Sequence, residues 1–181
     1  MKQEMLFSGI GGQGIMMLGE ILCNVAGDAG YNVTFAPFYG QEKRGGRTMC
    51  HVVIADTMES PIISEAKVML VMDEKSLNDF EDLVAPYEGV LLINSSMIDK
   101  EPTRNDINVK NYPFYDIATD IGNSKGANMV ALGALMRYIP FISKDAVIEE
   151  VKKAFSAKPQ FIESNIKAFE AGYNYQILQE A

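Results

Sequence analysis

Glu4-Met5-Leu6-Phe7-Ser8-Gly9-Ile10-Gly11-Gly12-Gln13-Gly14 is the stretch whose reading decides the fold. Glu4 to Ser8 is a short apolar run stopped by glycine, the pattern of a buried strand. After Gly14, the residues Ile15, Met16, Leu18, Ile21, Leu22, Val25 and Ala26 recur at helical spacing, and Gly27 and Gly30 supply the punctuation that ends a helix. A second strand, Asn32 to Ala36, closes at Pro37. Strand, glycine turn, helix and strand together form the crossover unit that makes parallel neighbours in an α/β sheet.

Working outward, Phe38 to Arg47 reads as an exposed glycine-bearing loop that feeds a strand from Met49 to Ala55. Lys67 to Met72 is a continuous apolar run ending at Asp73, and Leu77, Phe80 and Leu83 follow at the spacing of one buried helical stripe. Gly89 to Ile93 is a buried strand broken at Asn94-Ser95-Ser96, and a weaker strand runs from Ile107 to Tyr112. The last third is helical, over Ala127 to Tyr138, Lys144 to Phe155 and Phe161 to Tyr173, with Ser143-Lys144-Asp145 and Pro159 as start signals. The pattern predicts an α/β fold, a three-layer Rossmann-like domain over residues 1–181 with a mostly parallel sheet, a mixed sheet being allowed, and a helical C-terminal third.

A chain of 181 residues, 48% apolar and 22% charged, can bury a core without disulfides or a structural metal. No stretch approaches the ~18 consecutive apolar residues of a membrane span, and Met1 to Glu4 lacks a signal-peptide pattern. The expectation is a cytoplasmic protein. With 16 Lys and Arg against 24 acids and a net charge of −8, nucleic acid is not the expected partner. Cys23 and Cys50 form no C-x-x-C pair and His51 stands alone at the head of a strand, so no metal or iron–sulfur site is expected from this chain.

Gly9, Gly11 and Gly14 satisfy G-x-G-x-x-G between a strand and a helix, where glycine lets the backbone approach a ligand and the helix N-terminus attracts phosphate. A dinucleotide fingerprint also wants an acid near the end of the second strand. That region reads Val33-Thr34-Phe35-Ala36-Pro37, with no acid, and no Walker lysine follows Gly14. The phosphate cradle therefore stands beside a tight turn that binds nothing, and a stand-alone nucleotide-binding oxidoreductase loses support. Lys43-Arg44-Gly45-Gly46-Arg47 sets three cations around two glycines in an acidic chain, which suits a phosphate, a partner's carboxylates or a solvated turn, with Tyr39 and Gln41 just before it. No set of side chains marks an activated nucleophile, so no catalytic residue is expected, and the methionines of the strands and helices read as core.

Ser8 to Gly14, then Tyr39-Gly40-Gln41-Glu42-Lys43-Arg44-Gly45-Gly46 leading into the strand Cys50 to Ile54, and later Asn128 to Ala134, resemble the gamma subunits of 2-oxoacid:ferredoxin oxidoreductases in order and spacing. Within that family the chain resembles the 2-oxoglutarate or 2-oxoisovalerate type, with the indolepyruvate oxidoreductase small subunit as the nearest neighbour. The resemblance implies an assembled enzyme that oxidatively decarboxylates a 2-oxoacid, joins the acyl group to coenzyme A and reduces ferredoxin. It implies thiamine diphosphate, magnesium and iron–sulfur clusters held by alpha and beta subunits or a ferredoxin-like delta subunit, and a gamma chain that covers the active site. By the same likeness, Gly9, Gly11, Gly12, Gln13 and Gly14 lie where coenzyme A phosphates are held. Tyr39, Gln41, Arg44, Gly45, Gly46, Arg47 and Asn128 then face the partner or the substrate entrance.

Overall fold

The computed structural model describes residues 1–40 and 45–175. Six strands, β1 (Lys2–Ile10), β2 (Asn32–Tyr39), β3 (Arg47–Ala55), β4 (Val68–Val71), β5 (Val90–Asn94) and β6 (Asn108–Tyr112), form one sheet in the order β2-β3-β1-β4-β5-β6. β1, β4, β5 and β6 are parallel neighbours, and β3 runs antiparallel to both β1 and β2. The sheet is therefore mixed. The expected parallel pairing of the first two strands does not occur, because β3 returns as a hairpin arm and inserts between them. β2 also runs through Pro37 instead of ending there. It is the edge strand, and the Gly40 N–H to Arg47 carbonyl bond at 2.7 Å sets a register in which even-numbered residues of β2 bond inward. The missing N–H of Pro37 thus faces away from the ladder, where proline is tolerated.

Two helical layers of unequal size cover the sheet. On one face lie α1 (Ile15–Asp28), α3 (Phe114–Asp120), α4 (Ala127–Leu135), α5 (Lys144–Ala154) and α6 (Ile162–Asn174), packed on Met5, Phe7, Val52, Leu70 and Leu92. On the other, α2 (Glu74–Phe80) places Leu77 with Leu6, Val53, Met69, Leu91 and Ile93. Adjacent residues of β1, β3, β4 and β5 feed opposite cores, as the two-residue period of a strand requires. α3 escapes the sequence pattern because it spans two turns and buries only Phe114 and Ala118. The expected start signal at Ser143 is a cap, its side chain accepting from the Ala146 N–H at 3.4 Å, and Asp73, read only as the end of an apolar run, also caps a helix by accepting from the Ser76 N–H at 3.1 Å.

All nine residues of α4 are buried, which is why its sequence is apolar on every side. α6 crosses it at backbone contact. A Cβ on Gly133 would overlap the Phe169 carbonyl and lie 2.6 Å from the Tyr173 nitrogen, and one on Gly172 would lie 2.7 Å from the Val130 carbonyl carbon. Gly133→Ala is expected to lower stability by about 1–3 kcal/mol or more by forcing the helices apart. Gly27→Ala, in open space on α1, is expected to raise it by about 0.4–1 kcal/mol through the unfolded state. Urea midpoints of both variants check this, and equal losses would refute the close-crossing account.

Candidate functional site

β1 is followed by a helix on one face of the sheet and its neighbour β4 by a helix on the other. The carboxyl ends of these two strands therefore bound a switch-point crevice, the place where open α/β sheets take ligands. The glycine turn leaves β1 at this point. Gly12 has φ 98° and Gly14 φ 74°, conformations that favour glycine. Within the described residues no hydrogen bond takes the N–H of Gly12, Gly14, Ile15 or Met16. α1 has neither a side-chain cap nor an acid in its first turn, so no described side chain offsets its N-terminal dipole.

The glycines of the motif do different work. A Cβ on Gly9 would lie 2.5 Å from Gln13 Oε1 and 3.2 Å from Met72 Cβ, so Gly9 makes room for a folded-back side chain. The Gly11 N–H is given to the Gly46 carbonyl at 2.8 Å, tying the turn to the start of β3, and a Cβ there would meet only ordinary contacts at 3.6 Å. Nothing lies within 4 Å of a Cβ on Gly12, which faces open space. A Cβ on Gly14 would overlap the Asn128 carboxamide, whose Nδ2 donates to the Gly14 carbonyl at 3.4 Å. Two motifs 114 residues apart thus meet, and α4, also without a side-chain cap or first-turn acid, brings a second helix N-terminus to the turn.

Gln13 does not point outward. Its Oε1 accepts from the Ile10 N–H at 2.8 Å and its Nε2 donates to the Met72 carbonyl at 3.4 Å, a carbonyl that also takes Asn94 Nδ2 at 3.1 Å. Beneath it, Ser76 donates to Asp73 at 2.6 Å, and the Ser8 and Ser76 hydroxyls lie 2.8 Å apart in the interior. Since the Ser76 proton is committed to the carboxylate, Ser8 must donate to Ser76, and α2 is held to the end of β1. Sequence reading missed Asn94, Ser8 and Ser76. A polar residue at the end of an apolar strand was the available signal.

Of the loop residues, Gln41 and Arg44 lie outside the described residues. Tyr39 is exposed, Gly45 has φ 65°, Gly46 is buried against the turn, and Arg47 pairs with Asp79 while its guanidinium sits 5.0 Å from the centre of the Phe80 ring. Tyr39, Arg47, Lys75 and Phe80 help line a cleft of about 510 Å³ beside the turn. The structure also supplies a second reason against a dinucleotide: β3 occupies the position beside β1 where a dinucleotide fold has the strand that carries the ribose-binding acid.

His51 packs on Phe38 with ring centres 4.9 Å apart, and its Nδ1 accepts from the Ile63 N–H at 3.4 Å. Burial lowers its pKa. Burial pushes the Cys23 thiol up to about 12 and the Cys50 thiol higher still. Among the described residues no three His, Cys, Asp or Glu side chains converge on a metal position, and no helix is long and apolar enough to cross a membrane.

A mixed α/β sheet with a glycine turn and two uncapped helix N-termini at its switch point defines the class of module, and comparison with known proteins gives the family. The chain belongs to the pyruvate ferredoxin/flavodoxin oxidoreductase family, whose model matches residues 4–175. It is 32% identical to the 2-oxoglutarate synthase subunit KorC of Methanocaldococcus jannaschii, over 96% of this chain and 93% of that one. It is 30% identical to the ketoisovalerate oxidoreductase subunit VorA of Methanothermobacter thermautotrophicus over 91% of this chain, and spans only 34% of that longer relative. The solved gamma subunit of a keto/oxoacid ferredoxin oxidoreductase from Geobacter sulfurreducens superposes with a TM-score of 0.79 at 29% identity, covering 94% of this chain and 96% of that one.

Because both thiols resist ionisation, neither is expected to react with iodoacetamide at pH 8 in the folded chain, whereas both should react in denaturant. Mass spectrometry of the alkylated protein checks this, and rapid native labelling of Cys50 would contradict the packing described.

Proposed function

We propose that this chain is the gamma subunit of a 2-oxoacid:ferredoxin oxidoreductase and that its glycine turn holds the phosphates of coenzyme A. The assembled enzyme would oxidatively decarboxylate a 2-oxoacid, release carbon dioxide, form the acyl-coenzyme A and pass two electrons to ferredoxin in the cytoplasm. In that enzyme, thiamine diphosphate with magnesium supplies the carbon chemistry and iron–sulfur clusters carry the electrons, held by alpha and beta subunits or a ferredoxin-like delta subunit. The observation that carries the reading is the row of N–H groups at Gly12, Gly14, Ile15 and Met16 that take no partner among the described residues, beside the open space over Gly12. Backbone donors at a helix N-terminus bind phosphate without cationic side chains. The names of the KorC and VorA relatives favour 2-oxoglutarate or a branched-chain 2-oxoacid as substrate. The cationic stretch around Arg44, with Tyr39 and Gln41, is assigned to the partner or the substrate entrance.

Gly12→Ala places a methyl group in the open space over the turn and penalises its positive φ. A charge-assisted hydrogen bond of ~1.5–3 kcal/mol corresponds to a rise of roughly ten- to hundredfold in the KM for coenzyme A, with the KM for the 2-oxoacid little changed. Gly27→Ala, in open space on α1 outside the turn, is the matched control and should leave both constants near wild type. Steady-state kinetics of the complete complex, with assembly verified for each variant, decide the matter. An assembled Gly12→Ala enzyme with unaltered coenzyme A dependence would refute the assignment.

A further inference from the structure

We propose that Asn94 is a positioning residue for the glycine turn, acting through the Met72 carbonyl and the Gln13 carboxamide. Asn94 ends β5 and is wholly buried. Its backbone carbonyl accepts from the Met97 and Ile98 N–H groups at 3.1 and 3.0 Å, a turn that any residue could make. Its side chain does one thing: Nδ2 donates to the Met72 carbonyl at 3.1 Å, while Oδ1 is buried with no partner among the described residues. An unmet buried acceptor costs stability, and leucine would avoid that cost. The carboxamide is thus explained by its donor and by what the Met72 carbonyl controls.

That carbonyl is the anchor of the glycine turn. The Met72 N–H donates to the Ser8 carbonyl at 2.9 Å, fixing the peptide to β1, and the carbonyl then receives two amides, one from Asn94 and one from Gln13. The Gln13 bond, at 3.4 Å, is the longer and the more sensitive to the direction of the carbonyl. The other end of the Gln13 carboxamide holds the Ile10 N–H at 2.8 Å, at the point where β1 gives way to the turn. Gly9 leaves the space in which this side chain folds back. Rotation of the Met72 carbonyl on loss of Asn94 would therefore be transmitted through Gln13 to Ile10 and to the free donors at Gly12 and Gly14.

The proposal rests on the coenzyme A reading only in its kinetic arm, and its structural arm uses no ligand. Asn94→Leu removes the donor and the orphaned acceptor together, and Gln13→Met removes the linking carboxamide at similar length. In the full chain, amide resonances of Ile10, Gly12 and Gly14 should move in both variants, and hydrogen exchange at Ile10 should speed up. The thermal midpoint of Asn94→Leu should stay at or above that of wild type. In the complex, each variant should raise the KM for coenzyme A about two- to tenfold, the range of a neutral hydrogen bond of ordinary net strength, with kcat unchanged. The double variant should be no worse than Gln13→Met alone, because the two residues act in series. Multiplying effects, or resonances that stay in place in Asn94→Leu, would overturn the proposal. If Asn94→Leu does not fold, Gln13→Met still decides it, since coupling in series must shift the Asn94 side-chain amide resonances and their failure to move overturns it. Shifted resonances with an unchanged KM would leave the positioning role standing and remove coenzyme A from the turn.

Discussion

The N-terminus of α4 reaches the carboxyl edge of the sheet because residue 14 has no side chain. A Cβ on Gly14 would occupy the space of the Asn128 carboxamide, which instead donates to the Gly14 carbonyl. Through this contact the buried helix α4 is seated against the start of α1, and the helices that pack on α4 follow it. Gly133 and Gly172 let α6 cross α4 at backbone distance, and the Lys153 ammonium, paired with Glu150 and Asp28, ties α5 to α1 on the outside. The exposed ion pairs add little. Close backbone approach and the burial of α4 hold the larger helical layer in place.

The proposed phosphate seat on a chain of net charge −8 would rest on local backbone donors. Among the described residues at the turn, the donors are backbone N–H groups at two helix N-termini that carry no first-turn acid, and Arg47 is committed to Asp79 and the Phe80 ring. At physiological ionic strength the charge of the remaining surface is screened beyond about 8 Å, so the local donors decide the sign of the site. The side-chain amides of Gln13, Asn94 and Asn128 hold the turn from behind without adding charge.

Much of the framework was legible in the sequence because period and punctuation mark it directly. The apolar run before Gly9, the helical stripe from Ile15 to Ala26 and the start signal at Ser143 correspond to elements and a cap of the structure. What escaped was set by pairing across distance. No local pattern shows that β3 inserts antiparallel between β1 and β2, or that Pro37 sits on an edge strand with its nitrogen turned outward. Gln13 sits inside a glycine motif and reads as a ligand contact, yet its carboxamide turns back because Gly9 leaves room and Met72 offers a carbonyl. Asn94 looks like a strand terminator, and only the register that sets β5 beside β4 brings its amide to Met72.

The central claim, that free backbone donors of the glycine turn hold the phosphates of coenzyme A, is tested most directly by titrating the isotopically labelled chain and following its amide resonances. Coenzyme A and inorganic pyrophosphate should both shift Gly12, Gly14, Ile15 and Met16, while pantetheine, which lacks phosphate, should leave them in place. Shifts confined to other residues, or produced equally by pantetheine, would contradict the account.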